Sequence, residues 1–319
     1  MKLAFIIDQL DSIKTSKDSS YAMLREAITR NHRIHVLYQQ DIALANNQVV
    51  GYSHDLHLTD TPEADGHWYQ TGVTEVIPLI DFDAILMRKD PPFDMEYVYS
   101  TYLLELAEAA GALIFNSPRG IRDHNEKLAI ARFSQFITPT LVTSQPHLIR
   151  DFLSEHQDII LKPLDGMGGA SIFRVHGTDH NMNVILETLT HYGTRTIMAQ
   201  RFIPAITEGD KRILLIAGKA VPFALARIPK PGETRGNLAV GGTGKTQLLS
   251  RRDQEIAETL GPELMKRGLM LVGLDVIGDY LTEINVTSPT GMQEITRQTG
   301  LNVAAIMLDA IEDRVVSRN

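Results

Sequence analysis

Glu283 and Asn285 stand two residues apart in an apolar-flanked run, 281–286, so on a strand they project from one face. Asp275 lies in a second such run, 271–277, joined to the first through Gly278-Asp279. Its side depends on the turn. A two-residue turn sets Asp275 opposite Thr282 and away from Glu283, whereas a three-residue turn that takes in Tyr280 sets it directly across from Glu283. In the second register three hard, oxygen-bearing side chains converge, the donor type Mg²⁺ uses when it also bridges nucleotide phosphates. Ordinary solvated strand faces are the alternative.

A second constellation is cationic. The expected strand 159–164 carries Lys162, and Asp165-Gly166-Met167-Gly168-Gly169-Ala170-Ser171 links it to another strand over 172–175. A glycine-rich link between two strands, with no helix after it, can fold over phosphates as a flap whose amides come close to oxygen. A plain hairpin turn would look similar, but a strand lysine beneath the glycines favours phosphate. Arg212 and Arg227 flank the next strand pair, 213–216 and 221–228, around Ala217-Gly218-Lys219. Arg88-Lys89-Asp90-Pro91-Pro92 directly follows a strand at 84–87, where ligands sit in parallel sheets; a charged surface turn is the other reading.

Two tempting motifs fail on context. Ala239-Val240-Gly241-Gly242-Thr243-Gly244-Lys245-Thr246 resembles a phosphate loop, but no strand feeds it and no helix begins at its lysine. The stretch 229–246 suits a mobile active-site loop instead, with a disordered surface segment as the alternative. His54 and His57, or His176 and His180, lack further ligands and read as surface residues.

These residues need a scaffold. A strand at 3–7, a helix capped by Asp18-Ser19-Ser20, a strand at 34–37, a polar stretch, a strand at 84–87, a helix at 97–110 and a strand at 112–115 alternate as in a parallel sheet covered by helices. From residue 123 onward a capped helix, 123–133, opens a region of strands and helices, with a later helix over 253–266. The division expected is 1–122, 123–199 and 200–319. Of 319 residues 43% are hydrophobic, which excludes a wholly disordered chain, and 31 basic against 39 acidic residues argue against nucleic acid or an anionic membrane as partner. With no Cys, disulfides and thiol nucleophiles are excluded; the short apolar run 3–7 is no signal peptide, and a cytoplasmic location is expected.

The runs MRKDPPFD, KPLDGMGGASIFRV, GDKRILL, ARIPKPGETRGNL and GLDVIGDYLTEINVTSPTG, in that order along nearly the whole chain, resemble bacterial glutathione synthetase, an ATP-grasp ligase. The resemblance implies an α/β chain, α+β in its C-terminal part: an ATP-grasp fold preceded by a doubly wound parallel-sheet domain. It implies ligation of γ-glutamylcysteine to glycine through an acyl phosphate, with ATP as co-substrate, Mg²⁺ (alternatively Mn²⁺) as cofactor, and a homotetramer. Lys127 and Lys162 would hold phosphates under Gly166, Gly168, Gly169 and Ser171. Gln200, Arg201, Phe202 and Ile203 would meet adenine, and Asp210 the ribose. Arg212 and Arg227, with Arg235 from the loop, would face developing negative charge. Ser19, Arg88, Arg235 and Gly236 would contact the dipeptide, and Asp275, Glu283 and Asn285 the metal. A ligase for another amino-acid pair, or an ATP-binding regulatory protein without ligase activity, stays open at this point.

Overall fold

The computed structural model describes residues 1–59, 68–233, 236 and 241–318. The first sheet is built from β1 (Lys2–Ile6), β2 (Arg33–Leu37), β3 (Ile42–Ala45), β4 (Gln48–Leu58), β5 (Tyr69–Pro78), β6 (Ala84–Met87) and β7 (Ile114–Phe115). Strands β2, β1, β6 and β7 run parallel, and β3, β4 and β5 extend the β2 edge as antiparallel strands. The unbroken apolar run at the start of the chain follows from burial on both sides. Leu3 and Phe5 face one core with α1 (Ser19–Thr29), while Ala4 and Ile6 face another with α2 (Met95–Ala109). Helix α1 starts where the capping residues predict, with Asp18 accepting from the Tyr21 amide at 2.9 Å. The hairpin β4–β5 forms where the sequence pattern predicts only a polar, His-containing stretch.

The expected helix 123–133 is corrected to two shorter pieces, α3 (Pro118–Arg122) and a 3₁₀ segment, Leu128–Phe136. Asn125 causes the break. Its side-chain oxygen accepts from the amides of Lys127 and Leu128, which satisfies them without a continuous helix, and Phe133 leaves helical dihedrals altogether.

A small sheet follows: β8 (Thr140–Thr143), β9 (Asp158–Pro163), β10 (Phe173–His176) and β11 (Ile197–Arg201), in the order β10-β9-β11-β8. Helices α4 (Pro146–His156) and α5 (Met182–Thr190) cover it through Ile149, Leu153, Leu186 and Leu189. The third sheet, antiparallel, comprises β12 (Asp210–Ile216), β13 (Lys219–Ile228), β14 (Thr243–Leu248), β15 (Leu271–Ile277) and β16 (Tyr280–Asn285), ordered β14-β13-β12-β15-β16. Alternation along β12 sends Ile213 and Leu215 toward α6 (Arg251–Lys266) and Leu214 and Ile216 toward the core of α7 (Met292–Thr299) and α8 (Val303–Val316). Arg212 shares the α7 side; Lys211 shares the α6 side and bonds buried Asp253. Among the described residues no helix is long and apolar enough to cross a membrane.

Candidate active site

The carboxylates converge, by a route the turn arithmetic did not anticipate. Ile277 pairs with Tyr280 and Val276 with Leu281, the register of a two-residue turn at Gly278-Asp279. An irregularity at Thr282 then shifts the ladder by one residue, so that Asp275 pairs with Glu283 and Gly273 with Asn285. The bulge supplies the residue that a three-residue turn would have supplied. Thr282 fixes it by donating from Oγ1 to the Asp275 carbonyl at 3.1 Å.

Asp275 is 2% exposed and sits between two guanidinium groups. Arg212 donates to it through both Nε and Nη2, the latter at 2.9 Å, and Arg227 Nη2 lies 2.9 Å from Oδ2. Asn285 Nδ2 adds a contact to the same oxygen at 3.2 Å. Burial opposes ionisation of Asp275, but the two arginines hold its carboxyl well below the usual range. Asp210, on the neighbouring strand, behaves oppositely. Burial pushes its carboxyl up to about 7 against the opposing Arg227 charge, and Asp275 and Glu283 add to the rise. Its Oδ2 pairs with Arg227 while Oδ1 is buried without a partner.

Lys127 and Lys162 bring the cations. Lys162 is 5% exposed; Nζ donates to the Thr282 carbonyl at 3.3 Å and stands 3.9 Å from Glu283. Burial pushes its ammonium pKa down. Lys127 donates to Glu126 and to the Gly166 carbonyl, with Glu283 3.6 Å away. Burial opposes its charge too, but Glu283 and Glu126 hold its pKa above the ordinary lysine value. The glycine-rich link is the turn of the β9–β10 hairpin, as expected for a flap, with Gly168 and Gly169 at φ +63° and +82°. Those values explain the glycines. Ser171, also at positive φ, is exposed and stands outside the cavity wall.

These groups line one cavity of about 350 Å³. Gly166, Gly168 and Gly169 close one side, and Gln200, Arg201, Phe202 and Ile203 another. Asp210, Arg212, Arg227, Asp275, Glu283 and Asn285 form the floor with Lys127 and Lys162. Gly236 reaches the wall because it has no side chain: a Cβ there would lie 2.2 Å from the Arg227 carbonyl oxygen. Ser19 and Arg88 stand behind the wall. Ser19 Oγ accepts from the Met292 amide at 3.3 Å, and Arg88 bonds Ser20 Oγ and the Pro289 carbonyl, each at 3.1 Å. Arg235 lies outside the described residues.

The rejected phosphate loop is no phosphate loop in the fold. Residues 243–248 form strand β14 on the sheet edge, and the next helix begins only at Arg251, so the end of the expected 229–246 loop is a strand; Ala239 and Val240 lie outside the described residues. Lining residues without an assigned role in the sequence reading include Glu126, Asp90 and the wall segment 287–290. Glu126 adjoins Lys127 with no motif of its own, whereas Asp90 and 287–290 fall inside runs already singled out.

The donor set suits Mg²⁺. Among the described residues no group of three or more His, Asp or Glu forms a closed metal cage. Two carboxylates and an amide beside two lysines instead match an ion held partly by phosphates and water. Asp275 Oδ2 already accepts from Arg212, Arg227 and Asn285, whereas Oδ1 accepts from Arg212 alone and keeps room for a metal.

Residues 1–122 match the family model "Prokaryotic glutathione synthetase, N-terminal domain", and 126–300 match "Prokaryotic glutathione synthetase, ATP-grasp domain". The chain belongs to the prokaryotic glutathione synthetase family. Glutathione synthetase of Nitrosomonas europaea is 68% identical over 319 residues, 100% of both chains, and that of Ralstonia nicotianae 58% identical over 98% of this chain and 95% of its own. The enzyme is an ATP-dependent, ADP-forming ligase of glutathione synthesis. Two solved structures share the fold: D-cycloserine synthetase DcsG (TM-score 0.68, 13% identity, 98% and 99% covered) and the ATP-grasp ligase PsnB complexed with minimal precursor, Mg and ADP (TM-score 0.63, 16% identity, 98% and 97% covered). At these identities the likeness speaks for the ATP-grasp architecture alone.

Proposed function

We propose that this cavity joins the cysteinyl carboxylate of γ-glutamylcysteine to the amine of glycine while ATP becomes ADP and phosphate. The observation that carries the reading is the charge arrangement on one sheet face: Arg212 and Arg227 around Asp275, Glu283 in register beside it, and two buried lysines above. A carboxylate oxygen attacks the γ-phosphorus and ADP leaves, giving an acyl phosphate. The glycine amine then adds to the acyl carbon, and the tetrahedral adduct expels phosphate as the amine loses its proton. The first step needs no general base, so positioning and electrostatics dominate. Lys127, Lys162 and the glycine flap hold the phosphates, Gln200 to Ile203 the adenine, and Asp210 the ribose. Arg212 and Arg227 face the charge that grows on the transferred phosphoryl group and on the tetrahedral oxygen.

Glu283, Asn285 and Asp275 Oδ1 would hold Mg²⁺, or Mn²⁺ in its place, which when bound neutralises phosphate charge. Gly236 lines the cavity beyond β13, Arg235 before it in the sequence would shield the acyl phosphate from water, and Arg88 and Ser19 shape the dipeptide side from behind the wall. A division at 122 and 199 belongs to the proposal: the first boundary follows the last strand of the first sheet, β7, while the second falls within β11 of the small sheet. A homotetramer in the cytoplasm completes the proposal; an exposed apolar stripe on α2, formed by Met95, Tyr99, Tyr102 and Leu106, supports self-association. The test is ADP release by purified protein. It should require γ-glutamylcysteine and glycine together, and ADP release that ignores both substrates would refute the ligase reading.

A further inference from the structure

Among the described residues β14 pairs with β13 alone, and Thr243, Lys245, Gln247 and Leu248 along it are exposed. Little packing therefore holds this strand, and its outward backbone groups are open to another partner. Gln298 on α7 takes them. Its Oε1 accepts from the Thr246 amide at 2.8 Å and from Thr246 Oγ1 at 2.9 Å, while Nε2 donates to the Gly244 carbonyl at 3.0 Å. The N–H and C=O of one residue on an added parallel strand would offer the same donor and acceptor. At the opposite end of α7, Gln293 Nε2 donates to the carbonyls of Thr15 and Asp18 at 2.6 and 2.7 Å. One eight-residue helix thus grips both the segment before α1 and the edge of the third sheet. Gly244 pairs across the ladder with Arg227, so the clasp lies beside an arginine that lines the cavity.

We propose that Gln298 is a positioning residue: its amide closes the open edge of β14, fixes that strand on β13 opposite Arg227, and so steadies the strand that carries this cavity arginine. The clasp stands on the hydrogen bonds themselves. Its catalytic consequence rests on the proposed role of Arg227 at the transferred phosphoryl group.

Trypsin reads the clasp directly, because the bond after Lys245 lies between the two gripped residues and is cut only when β14 leaves β13. In the full-length protein Gln298→Ala should speed cleavage there about tenfold, with cleavage elsewhere and the melting temperature unchanged. Gln298→Glu keeps an acceptor for Thr246 but loses the donor to Gly244, and should fall between Ala and wild type. In turnover assays Gln298→Ala should lower kcat with the KM for ATP preserved, since the ATP-facing residues lie on other strands. Unchanged cleavage after Lys245, or equal acceleration at every site, would overturn the proposal. Faster cleavage after Lys245 with kcat unchanged would overturn the positioning role and leave the clasp as packing alone.

Discussion

Replacing Lys162 by Met separates binding from stability. The ammonium is 5% exposed, yet it makes one hydrogen bond, to the Thr282 carbonyl at 3.3 Å, and a loose ion pair with Glu283 at 3.9 Å. A lysine has three donors, so this group is under-satisfied until phosphate oxygens arrive. Burial pushes its pKa below that of the unfolded chain, where the lysine is protonated at neutral pH. With that sign the charged form weakens the fold at pH 7, and an apolar side chain of similar length should raise the melting temperature. ATP affinity should move the other way. Losing a charge-assisted contact costs about 1.5–3 kcal/mol, roughly a 10- to 150-fold rise in Kd. Lys245, exposed on edge strand β14, should change affinity by about twofold or less when replaced by Ala. Titrations with a non-hydrolysable ATP analogue, run beside thermal melts, measure both quantities. Normal affinity in Lys162→Met together with loss in Lys245→Ala would refute the assignment of the phosphate site.

Three further expectations follow from the carboxylates. Glu283→Gln should fold normally and need far more Mg²⁺ for half-maximal turnover, because a neutral amide replaces a hard anionic donor; normal activity at limiting Mg²⁺ removes Glu283 from the metal. Asp275→Asn strips the counter-charge from two buried guanidinium groups and should destabilise by about 3–5 kcal/mol in urea unfolding, with a value under about 1 kcal/mol contradicting the burial argument. Asp210, with a folded pKa near 7, retains a proton that the unfolded chain releases near pH 4, so its contribution to stability falls as pH rises between those values. Melting temperatures of Asp210→Asn across that window should show a flatter decline than wild type.

Strong local patterning made much of the fold legible. Strands 84–87 and 271–277 appear with the expected bounds, since β-branched and aliphatic residues dominate both, with only Gly273 and Asp275 interrupting the second. The β4–β5 hairpin is hard to see because polar residues and glycines are scattered through both strands, and alternation is weak in Tyr69–Pro78, which buries a single residue, Ile77. The 3₁₀ segment was hidden because Asn125, an ordinary cap in sequence, takes the amides that would have begun a longer helix. Asp275, Glu283 and Asn285 were legible as a group, while the bulge that unites them depends on a Thr282 hydroxyl reaching across the strand pair. Arg88 and Ser19 carry the lesson furthest. Chemistry-bearing residues at a strand end and a helix start can brace a cavity wall without lining it, and only their partners distinguish the two roles.

The central claim is that the dipeptide carboxylate is phosphorylated before glycine attacks. Labelling that carboxylate with ¹⁸O and analysing the released phosphate by mass spectrometry tests it most directly. One labelled oxygen should pass into each phosphate formed, because the oxygen that attacks the γ-phosphorus leaves with it. Phosphate free of label, with glutathione still produced, would contradict the acyl phosphate and the site roles built on it.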